Sequence, residues 1–132
     1  MPVPPDFNFS QGSLQDYLDC PRRFELRYIQ HLQWPAVQSE PVEEAEFAMQ
    51  MGQAFHSLAH QYFLGIPPQR LTPAPGSQLA RWWESFLETV PPLVQGTPHP
   101  EIALRTPFAG YSLLAQYDCI FTAPGRLVIF DW

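Results

Sequence analysis

The chain has 132 residues, of which 45% are hydrophobic and 14% aromatic, and its formal net charge is −6. This length and composition are typical of a folded domain and exclude a disordered or fibrous chain. No stretch is long enough to span a membrane, and the N-terminus lacks the basic and apolar regions of a signal peptide, so we expect a cytoplasmic protein with no membrane partner. The negative charge argues weakly against nucleic acid, although sites that bind phosphates through metal ions are themselves built of carboxylates.

Three helices are predicted in the first two thirds of the chain, over about residues 13–33, 43–64 and 77–90. Ser13 is a candidate N-cap of the first helix, and Pro21 restarts that helix. A proline-bounded loop is expected over 35–41. The second helix has an apolar stripe with a 3.6-residue period, and Ser77 is placed to cap the third.

From Glu101 onward the hydrophobic period changes to two, which predicts strands over about 101–108, 111–121 and 126–132. Helices followed by antiparallel strands favour an α+β fold. We therefore expect a single domain over 1–132, with N-terminal helices packed on a three-stranded antiparallel meander.

Two aspartates are predicted to meet on the last hairpin. The segment TAPG (122–125) has a common hairpin-loop length, and pairing of Phe121 with Arg126 would put Asp118 and Asp131 on the same face. They would then be diagonal neighbours, with Asp118 opposite Ile129. A loop with an odd number of residues would instead put them on opposite faces.

An acid pair of this kind is suited to a metal ion. The neighbours expected on that face are apolar, so two carboxylates would be costly there without a cation, and oxygen ligands favour Mg²⁺ or Mn²⁺. The simpler interpretation is that one aspartate is a solvated strand-end residue. His56 lies four residues after Gly52, whose missing side chain leaves room beside the imidazole. His56 and His60 could form a zinc pair, but no third ligand is evident nearby, and we interpret His60 as structural.

Three segments in order, YLDCPRRFELRYI, GQAFHSLAH and YDCIFTAPGRLVIFDW, resemble the RecB-like exonuclease branch of the PD-(D/E)XK nucleases. The family pattern runs from a helix with a CP..F motif to a G..(F)H helix, then to an aspartate on one strand and D-x-K on the next. The resemblance implies a restriction-endonuclease-like core and Mg²⁺-dependent or Mn²⁺-dependent hydrolysis of DNA phosphodiester bonds, a chemistry used in DNA repair.

The resemblance also implies roles for individual residues. His56 matches a helix histidine that is a metal ligand or lies next to one. Asp118 and Asp131 match the two motif aspartates, which bind metal and are catalytic. Glu101 matches an upstream accessory acid found in some members, and Trp132 takes the x position of D-x-K.

The lysine of that motif would follow Trp132, and all seven basic residues of the chain are arginines. The resemblance therefore predicts a truncated domain with an incomplete core, inactive as a fragment although the full-length protein would be a deoxyribonuclease. The alternatives are a catalytically dead module that binds DNA or protein, and an unrelated α+β interaction domain in which the two aspartates face apart.

Partners and further cofactors follow from the same resemblance. Arg22, Arg23 and Arg27 are candidates for DNA phosphate contacts, and a solvated helix face explains them equally well. Cys20 occupies the position of one iron–sulfur ligand found in some members, but we expect no cluster in this chain. A helicase or CRISPR-associated partner is compatible with the family, and an unpaired edge strand beside RLVIFDW predicts a homodimer.

Overall fold

The computed structural model describes residues 2–32 and 41–132, with the side chains of residues 41 and 42 outside that description. Of the loop expected over 35–41, residues 35–40 lie outside the described residues. The fold is α+β, as predicted. The chain forms two compact units, one from Met1–Val37 and Ala103–Gln116 and the other from Gln38–Ile102 and Tyr117–Trp132.

The first unit begins with a two-residue strand, β1 (Asn8–Phe9), followed by helices α1 (Gln11–Asp19) and α2 (Pro21–Phe24). Helix α1 starts earlier than predicted, because Ser10 rather than Ser13 is its N-cap. Ser10 Oγ accepts the backbone N–H of Ser13, and Ser13 Oγ accepts the N–H of Ser10. These reciprocal bonds satisfy two donors that a helix start otherwise leaves without partners.

Helix geometry changes at Cys20 and again after α2. Cys20 is extended, with φ −160°, and ends α1, and Pro21 begins α2 at a position where its missing N–H costs no hydrogen bond. The chain continues as a π-helix over Glu25–Ile29. Phe24 is buried and forms the centre of an aromatic cluster whose other members are Phe7, Phe9, Tyr17 and Tyr28.

The sheet has four strands and is mixed, which corrects the expected three-stranded antiparallel meander. Its longer strands are β2 (Thr97–Phe108), β3 (Tyr111–Ala123) and β4 (Arg126–Phe130). Strand β3 lies between β1 and β2 and also pairs with β4. The added strand β1 runs parallel to β3, with Asn8 opposite Ser112. Two residues are too few to show an alternating pattern, so this strand could not be predicted from hydrophobic periodicity.

Helices α3 (Pro41–Phe63) and α4 (Gln78–Thr89) belong to the second unit. Ser77 caps α4, as predicted, because its Oγ accepts the N–H of Ala80 at 3.1 Å. The apolar stripes of the two helices supply Ala59, Trp83 and Phe86 to a buried cluster, and Leu71 from the segment between the helices completes it. No helix within the described ranges has the length and hydrophobicity needed to cross a membrane.

The β3–β4 hairpin has a tighter turn than the sequence suggested. Ala123 pairs with Arg126, so the loop contains only Pro124 and Gly125. Gly125 has φ +69°, and a proline followed by a glycine with positive φ fits a type II turn. The predicted pairing of Phe121 with Arg126 is therefore wrong, and Phe121 pairs with Val128.

Candidate functional site

The tighter turn changes the register of the hairpin but preserves its parity. A two-residue loop and a four-residue loop both keep Asp118 and Asp131 on one face, because strand residues alternate with a period of two. Cys119 pairs with Phe130, and one further step places Asp118 directly opposite Asp131 rather than opposite Ile129. The two carboxyl groups are hydrogen-bonded to each other.

The proximity of Asp118 changes the protonation of Asp131. The pKa of Asp131 is raised above its ordinary value, first by the hydrogen bond to Asp118, then by the negative charge of that residue and by burial. The charge of His56 acts in the opposite direction. Asp131 therefore retains its proton more readily than an isolated aspartate does.

His56 reaches this pair from α3. Its Nδ1 lies 3.2 Å from Oδ1 of Asp118, and both side chains are partly buried, with 36% and 15% of their surfaces exposed. An added Cβ on Gly52, one turn earlier, would meet nothing within 4 Å apart from the helix itself. This glycine therefore leaves open space beside the imidazole, as the sequence predicted.

Glu101 lies close to His56 and Asp118, and each of the three side chains offers an atom that could bind a metal ion. One atom from each of His56, Glu101 and Asp118 lies within 4.8 Å of the others. Ligands of an octahedral Mg²⁺ at about 2.1 Å lie roughly 3 Å apart when adjacent and roughly 4 Å apart when opposite. Modest side-chain rotation would bring the group to that geometry, so the three residues fit a divalent cation.

The backbone at Glu101 is unusual for a strand residue. Its φ is +51°, in the left-handed region that a side chain with a Cβ seldom occupies. Such conformations cost about 1–3 kcal/mol and occur often at functional sites. The sequence prediction placed Glu101 at the start of the strand, whereas β2 already begins at Thr97.

The apolar residues expected around the acid pair are more exposed to solvent than the sequence suggested. Ile120 is buried, but Leu114, Leu127 and Ile129 are exposed by 37%, 58% and 50%. Asp131 is itself exposed. Desolvation is therefore a minor influence on Asp131, and contact with Asp118 is the larger one.

One contact with the acid pair was not predicted from the sequence. The backbone N–H of Trp132 donates to Oδ2 of Asp118 at 2.9 Å. No sequence pattern reports a backbone donor.

The three candidate DNA-binding arginines lie in the first unit, and each is ion-paired. Arg22 contacts Glu25 at 2.6 Å, and Arg23 contacts Asp16 and Asp19 at 2.9 Å. Arg27 contacts Asp16 at 3.0 Å. These carboxylates offset the positive charge, and a phosphate would have to compete with them.

The two cysteines occupy different environments. Cys20 is half-buried at the break between α1 and α2. Cys119 is fully buried next to Asp118, and burial raises the pKa of its thiol to about 11. A thiol of this kind is protonated at neutral pH and is a poor metal ligand.

Comparison with known protein families gives a match over most of the chain. The family model described as the PD-(D/E)XK nuclease superfamily matches residues 8–132. No curated protein and no solved structure gives a significant match to this chain. Proteins of this superfamily use divalent metals, and the spacing of His56, Glu101 and Asp118 could hold such an ion. Because the match extends over nearly the whole chain, the protein belongs to the PD-(D/E)XK nuclease superfamily.

Proposed function

We propose that this chain is the metal-binding part of a DNA nuclease of the RecB-like exonuclease branch. The observation that carries the proposal is the convergence of His56, Glu101 and Asp118 within 4.8 Å, with Asp131 hydrogen-bonded to Asp118. The N-terminal CP..F segment and the order of the motifs favour the RecB-like branch.

The donor set supports Mg²⁺ or Mn²⁺ as the cofactor. It consists of carboxylate oxygens and one imidazole, without a thiolate, since Cys119 is protonated at neutral pH. Hard oxygen ligands favour Mg²⁺ and Mn²⁺ over softer metals. When bound, such an ion would activate a water molecule and offset negative charge on the scissile phosphate.

The residues of the chain have separate parts in this proposal. Asp118 and Glu101 provide oxygen ligands, and Asp131 adds a carboxylate beside Asp118. His56 provides a nitrogen ligand or holds Asp118 by a hydrogen bond through Nδ1. A cation would stabilise both aspartates in their charged forms, which reverses the present rise in the pKa of Asp131.

A DNA-binding or protein-binding module without hydrolytic activity is the alternative. One observation favours it: none of the seven basic residues in the sequence is a lysine. Both functions predict binding of the metal, but only the nuclease predicts cleavage of DNA by the full-length protein.

Isothermal titration with Mn²⁺ tests the metal site. We expect saturable binding by the wild-type protein and its loss in Asp118→Asn. Asp6→Asn, which removes the same charge from an exposed turn, should bind like the wild type. Equal heats in the wild type and Asp118→Asn would refute the proposal.

A cleavage assay separates the two functions. End-labelled single-stranded and double-stranded DNA would be incubated with the full-length protein and Mn²⁺, with EDTA as the control. Metal-dependent shortening that Asp118→Asn abolishes supports a nuclease. Mn²⁺ binding together with DNA binding but without cleavage supports the alternative.

A further inference from the structure

Asp118 has different partners for its two carboxylate oxygens. Oδ2 accepts the backbone N–H of Trp132 at 2.9 Å, and Oδ1 lies 3.2 Å from Nδ1 of His56. A carboxylate with one free oxygen can turn about its terminal torsion angle, which has a broad energy minimum. The N–H of Trp132 therefore holds the plane of the carboxylate, with its other oxygen toward the imidazole.

The indole of Trp132 holds that N–H in place. Its ring stacks on Phe63 with centroids 5.7 Å apart and meets the edge of Phe86 at 5.5 Å. Phe86 belongs to the buried cluster of the second unit, against which Trp132 packs. Phe63 is the last residue of α3 and lies seven positions, or about two turns, after His56. Trp132 thus contacts both the helix that carries His56 and the carboxylate that faces it.

We infer that Trp132 is a positioning residue, which orients the Asp118 carboxylate for metal binding through its backbone N–H and its buried indole. This inference rests on the proposed function, because it assigns Trp132 a role toward the same metal site. Groups that orient metal ligands typically change metal affinity by about 10-fold to 100-fold when they are removed.

The indole nitrogen does not take part in this role. Within the described part of the chain, Nε1 of Trp132 is buried without a hydrogen-bond partner. Packing alone therefore anchors the side chain, and phenylalanine can replace it without the loss of a hydrogen bond. Alanine removes both ring contacts.

Titration with Mn²⁺ tests the positioning role through three variants. We expect Trp132→Ala to bind Mn²⁺ about 10-fold more weakly than the wild type, and Trp132→Phe to bind within about 2-fold of it. Trp83→Leu is the control for stability, because Trp83 lies in the same cluster and its rings contact Tyr62 and Phe86. We expect this control to lower the melting temperature while Mn²⁺ affinity stays within about 2-fold.

Amide hydrogen exchange tests the hydrogen bond itself, without metal and without a change at Trp132. We expect the Trp132 amide of the wild type to be protected and to exchange at least 10-fold faster in Asp118→Ala, which lacks the acceptor. Equal exchange rates in the two proteins would overturn the inference even if Trp132→Ala failed to fold.

The outcomes separate this inference from the proposed function. A wild-type protein that binds no Mn²⁺ overturns the metal site and the role of Trp132 with it. Binding by the wild type that Trp132→Ala leaves unchanged overturns the positioning role alone. Equal losses of affinity in Trp132→Ala and Trp83→Leu also overturn it, because general loss of packing would then explain both.

Discussion

Replacing Glu101 by glycine should destabilise the protein less than replacing it by alanine. This order is the reverse of the usual one at a strand position. At an ordinary strand position, glycine is less stable than alanine by about 0.5–1 kcal/mol because its unfolded state has more freedom. Glu101 has φ +51°, where a residue with a Cβ carries a penalty of about 1–2 kcal/mol that glycine avoids. The difference should therefore favour glycine by about 0.5–1 kcal/mol.

The comparison isolates the backbone, because both substitutions remove the same carboxylate and all of its contacts. The assay is urea unfolding of Glu101→Gly and Glu101→Ala without metal, with thermal melting as a second measurement. A difference of about 0.5–1 kcal/mol corresponds to roughly 2–5 °C in a domain of this size. Mn²⁺ affinity should fall in both variants, since each loses a ligand of the His56, Glu101 and Asp118 group.

Arg105 supplies the matched control on the same strand. It is exposed, and its φ is not positive. Arg105→Gly should therefore be less stable than Arg105→Ala. If the alanine variant proved more stable than the glycine variant at both positions, the backbone at Glu101 would not be strained. The strained conformation could then not be linked to the function of this residue.

Two further predictions concern stability. Asp131→Asn should raise the metal-free melting temperature at pH 7 but not at pH 3. Because the pKa of Asp131 is raised in the folded state, the stability of the wild type falls as the pH rises from about 3.8 through that pKa. Parallel pH profiles of the two proteins would contradict this prediction. Gly96→Ala should destabilise the protein by about 2 kcal/mol or more in urea unfolding, because an added Cβ would lie 2.3 Å from the carbonyl oxygen of Thr122. Gly76→Ala, also at positive φ but with open space around it, should cost only about 1 kcal/mol, and equal losses would show that the contact is unimportant.

The helices of the second unit were predictable because their apolar residues recur with a helical period. Ser77 capped α4 as expected, and Trp83 and Phe86 from its apolar face form part of the buried cluster. The start of α1 was not predictable to the residue. Ser10 and Ser13 can both cap a helix, and only their reciprocal hydrogen bonds decide between them.

The candidate site was only partly predictable for a different reason. Alternation along β3 and β4 relates Asp118 to Asp131 whatever the exact register, provided the loop has an even number of residues. The conformation of Glu101 and the hydrogen bond from Trp132 depend on tertiary structure, and no periodic pattern encodes them. The ion pairs of Arg23 and Arg27 with Asp16 were missed because helix α1 and the turns after it had to be placed in space first.

The turn at Pro124 and Gly125 also limits how the protein can change by insertion and deletion. One residue added there would shift the register by one and send Asp131 to the opposite face of the sheet from Asp118. Two added residues would lengthen the loop but leave the carboxylates on a common face. Related chains that keep the acid pair should therefore differ from this one by even numbers of residues in that loop.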